Sequence, residues 1–596
     1  MAETKRSSEQ ASLLTVGGGE VGSDKEDSVE PEVNEKKTFS GIGLVLSCLG
    51  SVVGTGNIWR YPRIVAIHAT GGGALVFLLV WFGFLWLWSV PLIILEYATG
   101  RFTKFGTVES MNRLAGPAFR FLGAWLFIVP TGIGCYYCVI VGWCLYYTVY
   151  YMVNDLPSNV DESYETWNGL QDSHWPVWCH LFSVLFGAFA VSRGVSTIEP
   201  LSKVVVPLLL GIVVFSFYWS LFLPYAHIGI QRFFTPNWSS LTDSKMWLDA
   251  ITQNAWDTGA AGCAFLTYAT YMKRTNGAVR NGVLIPVSNN IVSLLCGLLV
   301  FCSVFSVLIR QSYSSERILD IIADNGPANT GLTFIWMPIL YNNITGGRIL
   351  CVVFFLCVAL AGLSSVVSLM ERPIHVLSDF GIRRIPATIL MGIIIFFIGL
   401  ASAIDLDILV NQDTVWGYAL LLNGLFCVFM VIRYGGERFR IEVVNKYGIG
   451  DWKLPRLWTF IIYVLSPLQA IGILLWYIIR EIVDNEDETW YKYTRGSLIM
   501  VLTQWAFTIL IVIGLNWWMK PIQYYPKDPS SRSHQILRFL IKSSTSAPIP
   551  AHHLHVTHTP DSDENEDKMQ YYQVTRSDGP TTDENMYAST DEDTVL

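Results

Sequence analysis

The stretch GSVVGTGNIWRYP, from Gly50 to Pro62, decides the fold because it interrupts an apolar segment that is otherwise long enough to cross a membrane. A helix that spans a bilayer needs about 20 apolar residues. Backbone that leaves the helix at membrane depth is tolerated only where protein or a water-filled cavity covers it. The stretch therefore indicates a binding site or, if its glycines only bring helices together, a close packing contact.

The composition of the chain indicates a polytopic membrane protein. Of its 596 residues, 52% are hydrophobic and 15% are charged, whereas soluble domains carry about 25% charged residues. Apolar segments of spanning length recur about twelve times, so we predict an all-α fold with about twelve transmembrane helices. These segments lie near residues 41–68, 73–100, 119–152, 176–192, 200–224, 248–271, 282–312, 347–376, 385–403, 411–434, 456–481 and 497–519.

The distribution of lysine and arginine predicts that both termini lie in the cytosol, and we expect the protein to span the plasma membrane. Basic residues cluster in the loops that an even number of spans places inside, as around Arg101, Lys273 and Arg384, while the loops at 153–175 and 403–412 have none. The polar segments 1–40 and 520–596 are predicted to be disordered cytosolic tails, the second of them acidic. The sequons at Asn237 and Asn343 fall in predicted extracellular loops, as glycosylation sites or as chance matches.

A second break, AWDTGAAGC from Ala255 to Cys263, interrupts the sixth predicted span. The first and sixth spans are five spans apart. Because this separation is odd, the two broken helices cross the membrane in opposite directions, as in inverted-repeat transporters with paired broken helices. Amides freed at a helix N-terminus attract carboxylates, and unwound carbonyls bind small cations. Two breaks at corresponding places therefore favour a binding site over tight packing alone.

Several motifs follow one another along the chain: GNIWRYP at 56–62, GGGA at 71–74, PLIILEYATGR at 91–101, LTYATYM at 266–272 and AGLSS at 361–365. Over residues 40–520 the chain resembles the neurotransmitter:sodium symporter family, the solute carriers with the LeuT fold. The resemblance implies sodium-driven uptake of an amino acid or amine by alternating access. It also implies a transporter domain at 41–519, with a first repeat at 41–224, an inverted second repeat at 248–434 and peripheral helices at 456–519.

The resemblance implies two sodium sites. Oxygen atoms at the matching positions suit a hard cation. The first site would use the substrate carboxylate with Val52, Asn57, Asp257 and Asn289, although the family has Thr or Ser at the position of Asp257. The second site, where every position matches the family, would use Gly50, Val53, Ala361, Ser364 and Ser365.

Asp257 is the main departure from the family pattern. An ionisable side chain inside the membrane is costly and is functional by default, and we predict that it binds sodium. Many animal relatives bind chloride beside the first sodium site; Gln253, Asn289 and Ser293 match those positions, whereas Trp81 and Asp257 do not. A carboxylate repels an anion and can replace its charge, so we predict that chloride is not required. Alternatively, Asp257 is protonated during the cycle or contacts a substrate amine.

Gly54 stands where monoamine transporters of the family have an aspartate, which favours a substrate that brings its own carboxylate. The absence of an obvious counter-ion for the side chain favours a neutral α-amino acid, and small residues in the pocket favour a large aliphatic or aromatic one. The large side chain of Trp256 can occupy the space that these small residues leave. Ile133 and Trp256 can equally serve only in helix packing. The expected substrate contacts are Ser51, Val52, Gly54, Thr55, Gly56, Ile133, Tyr137, Trp256, Gly259, Gly262, Ser365 and Leu369.

Arg60 and Asp413 match the outer gate pair of the family, although a lone arginine near a membrane boundary can also serve only to orient the helix. Glu96 in the second span is expected to brace the break in the sixth span through backbone hydrogen bonds.

The inner gate is only partly matched. Tyr271 and Asp379 fit it, but Glu35 and Thr38 stand where the family has Arg and Trp. Lys36 is expected to substitute, without the bidentate geometry of arginine.

The C-terminal tail contains HHLHVTH at 552–558, which is either an unstructured segment or a metal-binding cluster, and it ends in DTVL, a possible strand for a PDZ domain. We find no P-loop, zinc motif or nucleophile constellation, so neither enzyme activity nor a nucleic-acid partner is expected. The leading function is sodium-coupled symport of a neutral α-amino acid. The alternatives are a sodium-coupled amine or neurotransmitter transporter, and a substrate-gated sensor or channel on the same fold.

Overall fold

The computed structural model describes residues 38–483 and 489–524, and the regular elements in this part of the chain are all helices. Lys36, the segment HHLHVTH and the terminal DTVL lie outside the described residues. We number the main helices in chain order. They are α1 (Gly41–Val52), α2 (Thr55–Ile67), α3 (Leu75–Thr103), α4 (Thr107–Ala115), α5 (Pro117–Val153), α6 (Val160–Gln171), α7 (Trp175–Val191), α8 (Val195–Ser220), α9 (Ala226–Phe234), α10 (Ser244–Thr258), α11 (Ala264–Ala269), α12 (Ala278–Arg310), α13 (Ser315–Ala323), α14 (Leu332–Asn342), α15 (Gly347–Asp379), α16 (Arg384–Ile404), α17 (Leu406–Tyr434), α18 (Phe439–Lys446), α19 (Leu457–Val483) and α20 (Leu498–Tyr524).

The all-α membrane fold predicted from the sequence is confirmed. Within the described residues, 9 helices are long and apolar enough to cross a membrane, or up to 11 spans if the bent pairs α1 with α2 and α6 with α7 each cross once. The sixth predicted span is not among them because it is divided into α10 and α11. Neither half of this span is long enough to cross a bilayer alone.

The first break lies at Val53 and Gly54, between α1 and α2, which are bent by 61° relative to each other. Gly54 has an extended backbone, with φ −119° and ψ −167°. The Gly54 amide donates to Asn57 Oδ1 at 2.8 Å, and the Asn57 amide donates to the Gly54 carbonyl at 3.3 Å. These hydrogen bonds fix the start of α2 in the way that an N-terminal cap does.

The second break separates Thr258 at the end of α10 from Ala264 at the start of α11. Its backbone is left-handed at Gly259 (φ 64°), Ala261 (φ 69°) and Cys263 (φ 59°). Only glycine adopts this conformation readily; each other residue held there costs about 1 kcal/mol or more, and such strain clusters at functional sites. The break predicted from AWDTGAAGC is therefore present, and it is strained at two non-glycine residues.

The segment 153–175, predicted to be a loop, contains helix α6. The Asn159 side chain accepts a hydrogen bond from the Glu162 amide at 2.9 Å, and Asp161 and Glu162 lie in the first turn. An asparagine cap followed by acidic residues stabilises a helix N-terminus. Trp167 and Leu170 are buried, so the tertiary contacts of a short amphipathic face complete a helix that the polar composition of the segment concealed.

Candidate functional site

Both breaks open onto a cavity with a volume of about 340 Å³, which is completed by residues of α5, α15 and α17. This volume lies in the range of small-molecule sites. Every residue predicted to contact the substrate lines this cavity, namely Ser51, Val52, Gly54, Thr55, Gly56, Ile133, Tyr137, Trp256, Gly259, Gly262, Ser365 and Leu369.

The start of α2 and Tyr137 form a polar wall of the cavity. The Tyr137 hydroxyl lies 2.9 Å from Thr55 Oγ1 and accepts a long hydrogen bond of 3.4 Å from the Thr55 amide. A Cβ atom on Gly54 would lie 2.9 Å from Ser365 Oγ and 3.2 Å from the Tyr137 hydroxyl, which leaves room only for glycine. Nothing in the described chain lies within 4 Å of a Cβ atom on Gly56. Open space beside a helix N-terminus and a hydroxyl is suited to a carboxylate.

A buried chain of polar side chains links the two breaks. Asn57 Nδ2 donates to Asn289 Oδ1 at 3.0 Å and to Ser293 Oγ at 2.7 Å. Ser293 Oγ donates in turn to Asp257 Oδ2 at 2.6 Å. Asp257 Oδ1 has no hydrogen-bond partner among the described residues. A buried carboxylate is stable only when it is paired, so this chain, with Val52 nearby on the cavity wall, fits a small cation held by oxygen atoms.

The residues predicted for the second sodium site meet where the end of α1 approaches α15. A Cβ atom on Gly50 would lie 3.5 Å from Ser364 Cβ. Ser364 Oγ and Ser365 Oγ donate to the Ala361 carbonyl at 2.8 Å and 3.3 Å. The last carbonyls of a helix, here from Gly50 to Val53, lack intrahelical partners. Oxygen atoms of Ser364, Ser365 and Ala361 therefore lie together on α15 beside the end of α1, and such oxygens are ligands of a hard cation. The second sodium site stays a prediction.

Asp257 also lies among the residues that match the family's chloride position. Its carboxylate accepts the hydrogen bond of Ser293, and Gln253 is buried without a side-chain partner among the described residues. The ring of Trp81 packs against Tyr61 with centroids 4.7 Å apart. An ionised Asp257 carboxylate would repel an anion at this place, because the site is buried.

The predicted outer-gate residues both line the cavity but do not form an ion pair within the described chain. The Arg60 guanidinium lies over the Trp256 ring, 4.9 Å from its centroid, which is a cation–π contact. Asp413 accepts a hydrogen bond from the Tyr136 hydroxyl at 2.8 Å. Each member of the pair is therefore held by an aromatic side chain at the cavity wall.

The predicted inner-gate residues lie in a hydrogen-bonded cluster near the C-terminal end of α15. The Tyr271 hydroxyl donates to Glu371 Oε1 at 2.9 Å and lies 3.1 Å from His375 Nδ1. Glu371 also forms an ion pair with Arg384, whose Nη1 donates to Glu371 Oε1 at 2.9 Å. Asp379 accepts from the Gly106 amide at 2.6 Å. The sequence analysis missed Glu371, His375 and Arg384. Glu371 and His375 stand eight and four residues before Asp379, and this spacing, which places all three on one face of α15, was a usable signal.

Phe39 occupies the neighbourhood where the family's tryptophan was expected. Its ring meets Tyr268 and Tyr271 edge to face, with centroids 5.8 Å and 5.9 Å apart. The adjacent Ser40 caps α1 and donates to Glu199 on α8 at 2.5 Å. An aromatic contact and a polar contact therefore hold the start of α1.

Glu96 is fully buried and lies opposite the backbone amides of Ala261, Cys263 and Leu266. Freed amides at the start of α11 are positive partners for a carboxylate. Neither oxygen of the Glu96 carboxylate has a hydrogen-bond partner within the described chain, so bracing of the second break through hydrogen bonds stays a prediction.

The two sequons lie between membrane-spanning helices. Asn343 is exposed at the end of α14, and its Nδ2 donates to the Ile339 carbonyl at 2.8 Å. Asn237 is half-buried, and its side chain lies against Gly72. Glycosylation of either residue stays a prediction.

Two broken helices that meet at a cavity, with carboxylate and carbonyl oxygens near the breaks, define the architecture of a secondary transporter. The chain matches the model of the sodium:neurotransmitter symporter family over residues 36–174 and 169–523, and it belongs to this family. The resemblance seen in the sequence motifs is confirmed. Members of the family are transporters rather than enzymes.

Individual relatives support the same assignment. An uncharacterised sodium-dependent transporter of Methanocaldococcus jannaschii is 29% identical over 80% of this chain and 96% of its own length. The sodium-dependent serotonin transporter of Drosophila melanogaster is 27% identical over 79% of this chain and 80% of its own length. The crystal structure of MhsT in complex with L-phenylalanine matches with a TM-score of 0.63 at 25% identity, over 74% of this chain and 99% of that one. The chain is thus a member of a family of sodium-dependent symporters, with the LeuT fold.

Proposed function

We propose that this protein imports a neutral α-amino acid together with sodium by alternating access, and that it does so without chloride. One observation carries the proposal: Ser293, at the position assigned to chloride, links the buried carboxylate of Asp257 to Asn57 and through it to Asn289, at the first sodium site. A single side chain there can supply both an oxygen ligand for sodium and the negative charge that relatives take from an anion.

The choice of an amino acid over an amine rests on Gly54. The space beside this glycine is bounded by Ser365 and the Tyr137 hydroxyl, and it lacks an acidic side chain that could pair with an amine. A substrate carboxylate in the open space beside Gly56 would accept hydrogen bonds from the Tyr137 hydroxyl and from amides at the start of α2, and it would complete the ligands of the first sodium. Support comes also from MhsT, whose structure holds L-phenylalanine.

The expected size of the substrate rests on the rest of the cavity wall. Ile133 and Leu369 supply apolar surface, and Gly259 and Gly262 line the same cavity without side chains. Trp256 is held by its contacts with Arg60 and Gly417. A large aliphatic or aromatic side chain would cover this apolar surface, which stabilises the complex by about 25 cal/mol per Å² buried.

The remaining parts of the proposal concern ions and location. Two sodium ions would bind per cycle, the second at Gly50, Val53, Ala361, Ser364 and Ser365. We place the protein in the plasma membrane with both termini in the cytosol, where the terminal DTVL would be available to a PDZ domain.

The proposal is tested with purified protein in proteoliposomes and each of the twenty amino acids in labelled form. An inward sodium gradient should drive accumulation of a neutral amino acid above its external concentration, and an equal choline gradient should not. Equilibration without accumulation would indicate a channel. Binding without any uptake would indicate a sensor, and either result would contradict symport.

A further inference from the structure

Arg372 is a cationic side chain in the wall of the substrate cavity that the sequence motifs did not reveal. It lies on α15, one turn beyond Leu369, and it lines the cavity together with Gly259 and Gly262. The exposed fraction of Arg372 is only 8%, so its role depends on its contacts inside the protein. A buried guanidinium carries five N–H donors, and each needs an acceptor.

The contacts of Arg372 leave donors available at the cavity. Its Nη2 donates to Ser368 Oγ at 3.0 Å. Its Nε has no hydrogen-bond partner within the described chain, but this atom is enclosed, so Nη1 is the donor that can face the cavity. Its Nη1 lies 3.5 Å from the place where a Cβ atom on Gly262 would stand, so the missing side chain at 262 opens the guanidinium to the cavity.

One buried carboxylate acts on Arg372 from a distance. It is that of Glu96, which forms no hydrogen bond with the guanidinium within the described chain. Its negative charge lowers the positive potential at Nη1, the nitrogen that lies beside Gly262. A neutral acceptor on the substrate is therefore the better complement than a second carboxylate, which would compete with Glu96.

The position of the guanidinium fixes which part of a substrate it meets. The α-carboxylate is proposed to lie at Thr55 and Tyr137, at the break in the first span. The side chain then extends along Gly259, Gly262 and Leu369. Its far end meets Arg372, which lies one helical turn beyond Leu369.

We infer that Arg372 recognises the end of the substrate side chain, and that the transporter prefers neutral α-amino acids whose side chain ends in an oxygen acceptor over apolar ones of the same size. This inference rests on the proposed amino-acid symport. A site built to donate hydrogen bonds rejects an analogue that leaves those donors unpaired. Arg372 is thus a specificity-determining residue.

Matched substrate pairs test the inference in proteoliposomes with an inward sodium gradient. Tyrosine and phenylalanine differ by one hydroxyl, and glutamine and methionine have side chains of similar length. The wild-type protein should take up the oxygen-bearing member of at least one pair with about tenfold higher kcat/KM. Glutamate should be a poorer substrate than glutamine.

Variants then assign the preference to the guanidinium. Arg372→Met should reduce the ratio within the preferred pair to about one, and Arg372→Lys, which keeps a donor, should restore part of it. Because Arg372→Met leaves Glu96 without its counter-charge, the double variant with Glu96→Gln is measured as well. Glu96→Gln alone should keep the preference.

The outcomes distinguish failure of the proposed symport from failure of the role proposed for Arg372. Absence of sodium-driven uptake of any amino acid by the wild-type protein would overturn the proposed symport itself. Uptake of both pairs without discrimination, a ratio unchanged in Arg372→Met or in the double variant, or glutamate taken up better than glutamine would overturn the role of Arg372 alone.

Discussion

The tight packing around Gly54 gives a sharp prediction about the site of the substrate carboxylate, because the Tyr137 hydroxyl lies there. In the variant Gly54→Ala, the new Cβ atom would lie 2.9 Å from Ser365 Oγ and 3.2 Å from the Tyr137 hydroxyl. Both contacts are shorter than normal, so the hydroxyl that faces the carboxylate has to move. Overpacking of this kind costs about 1–3 kcal/mol, which corresponds to about a 5- to 150-fold loss in apparent substrate affinity.

The variant Gly54→Asp adds a second perturbation to the first. It places a carboxylate beside the Tyr137 hydroxyl that we assign to the carboxylate of the substrate, and like charges at short distance repel each other strongly in a buried site. Sodium-driven uptake of amino acids should fall to background. The assay is initial uptake over a range of substrate concentrations in proteoliposomes, normalised to the amount of protein reconstituted.

Gly83→Ala on α3 is the matched control, because a Cβ atom there meets nothing within 4 Å. It should fold and transport as the wild-type protein does. If Gly54→Asp retained normal uptake while its thermal unfolding matched that of Gly83→Ala, the substrate carboxylate would have to lie elsewhere and our reasoning would be refuted.

Three further predictions concern ions and gating. Ser364→Ala removes one oxygen ligand and should raise the sodium concentration for half-maximal uptake about fivefold, and an unchanged value would contradict the second site. Asp257→Asn keeps the shape beside Ser293 but removes the charge, so the same sodium titration should shift about tenfold or more. Tyr136→Phe removes the hydrogen bond to Asp413 and should lower maximal uptake about fivefold; uptake at the wild-type rate would show that this contact does not serve the gate.

The sequence predicted the breaks well because their signal is local. Glycine, asparagine and proline at 50–62 conflict with a membrane helix, and the structure has its first break at Val53 and Gly54. The second break was equally visible at 255–263. The left-handed backbone of Ala261 and Cys263 was not, since these residues do not favour it and only the surrounding packing imposes it.

The sequence could not predict which polar side chains of a long helix face a cavity. Glu371, Arg372 and His375 lie in an otherwise apolar α15, and helical period alone does not say which neighbour covers each face. The guanidinium of Arg372 can face the cavity because Gly262, which is distant in sequence and close in space, has no side chain. Helix α6 was missed for a related reason, because its stability depends on burial of Trp167 rather than on composition.

The most direct test of the account is sodium-driven uptake with chloride replaced by gluconate on both sides of the membrane. If the Asp257 carboxylate supplies the negative charge beside the first sodium site, the wild-type protein should accumulate its amino acid at the same rate and with the same sodium dependence in both media. Asp257→Asn should lose uptake in gluconate and regain part of it in chloride. Loss of wild-type uptake in gluconate would contradict the central claim.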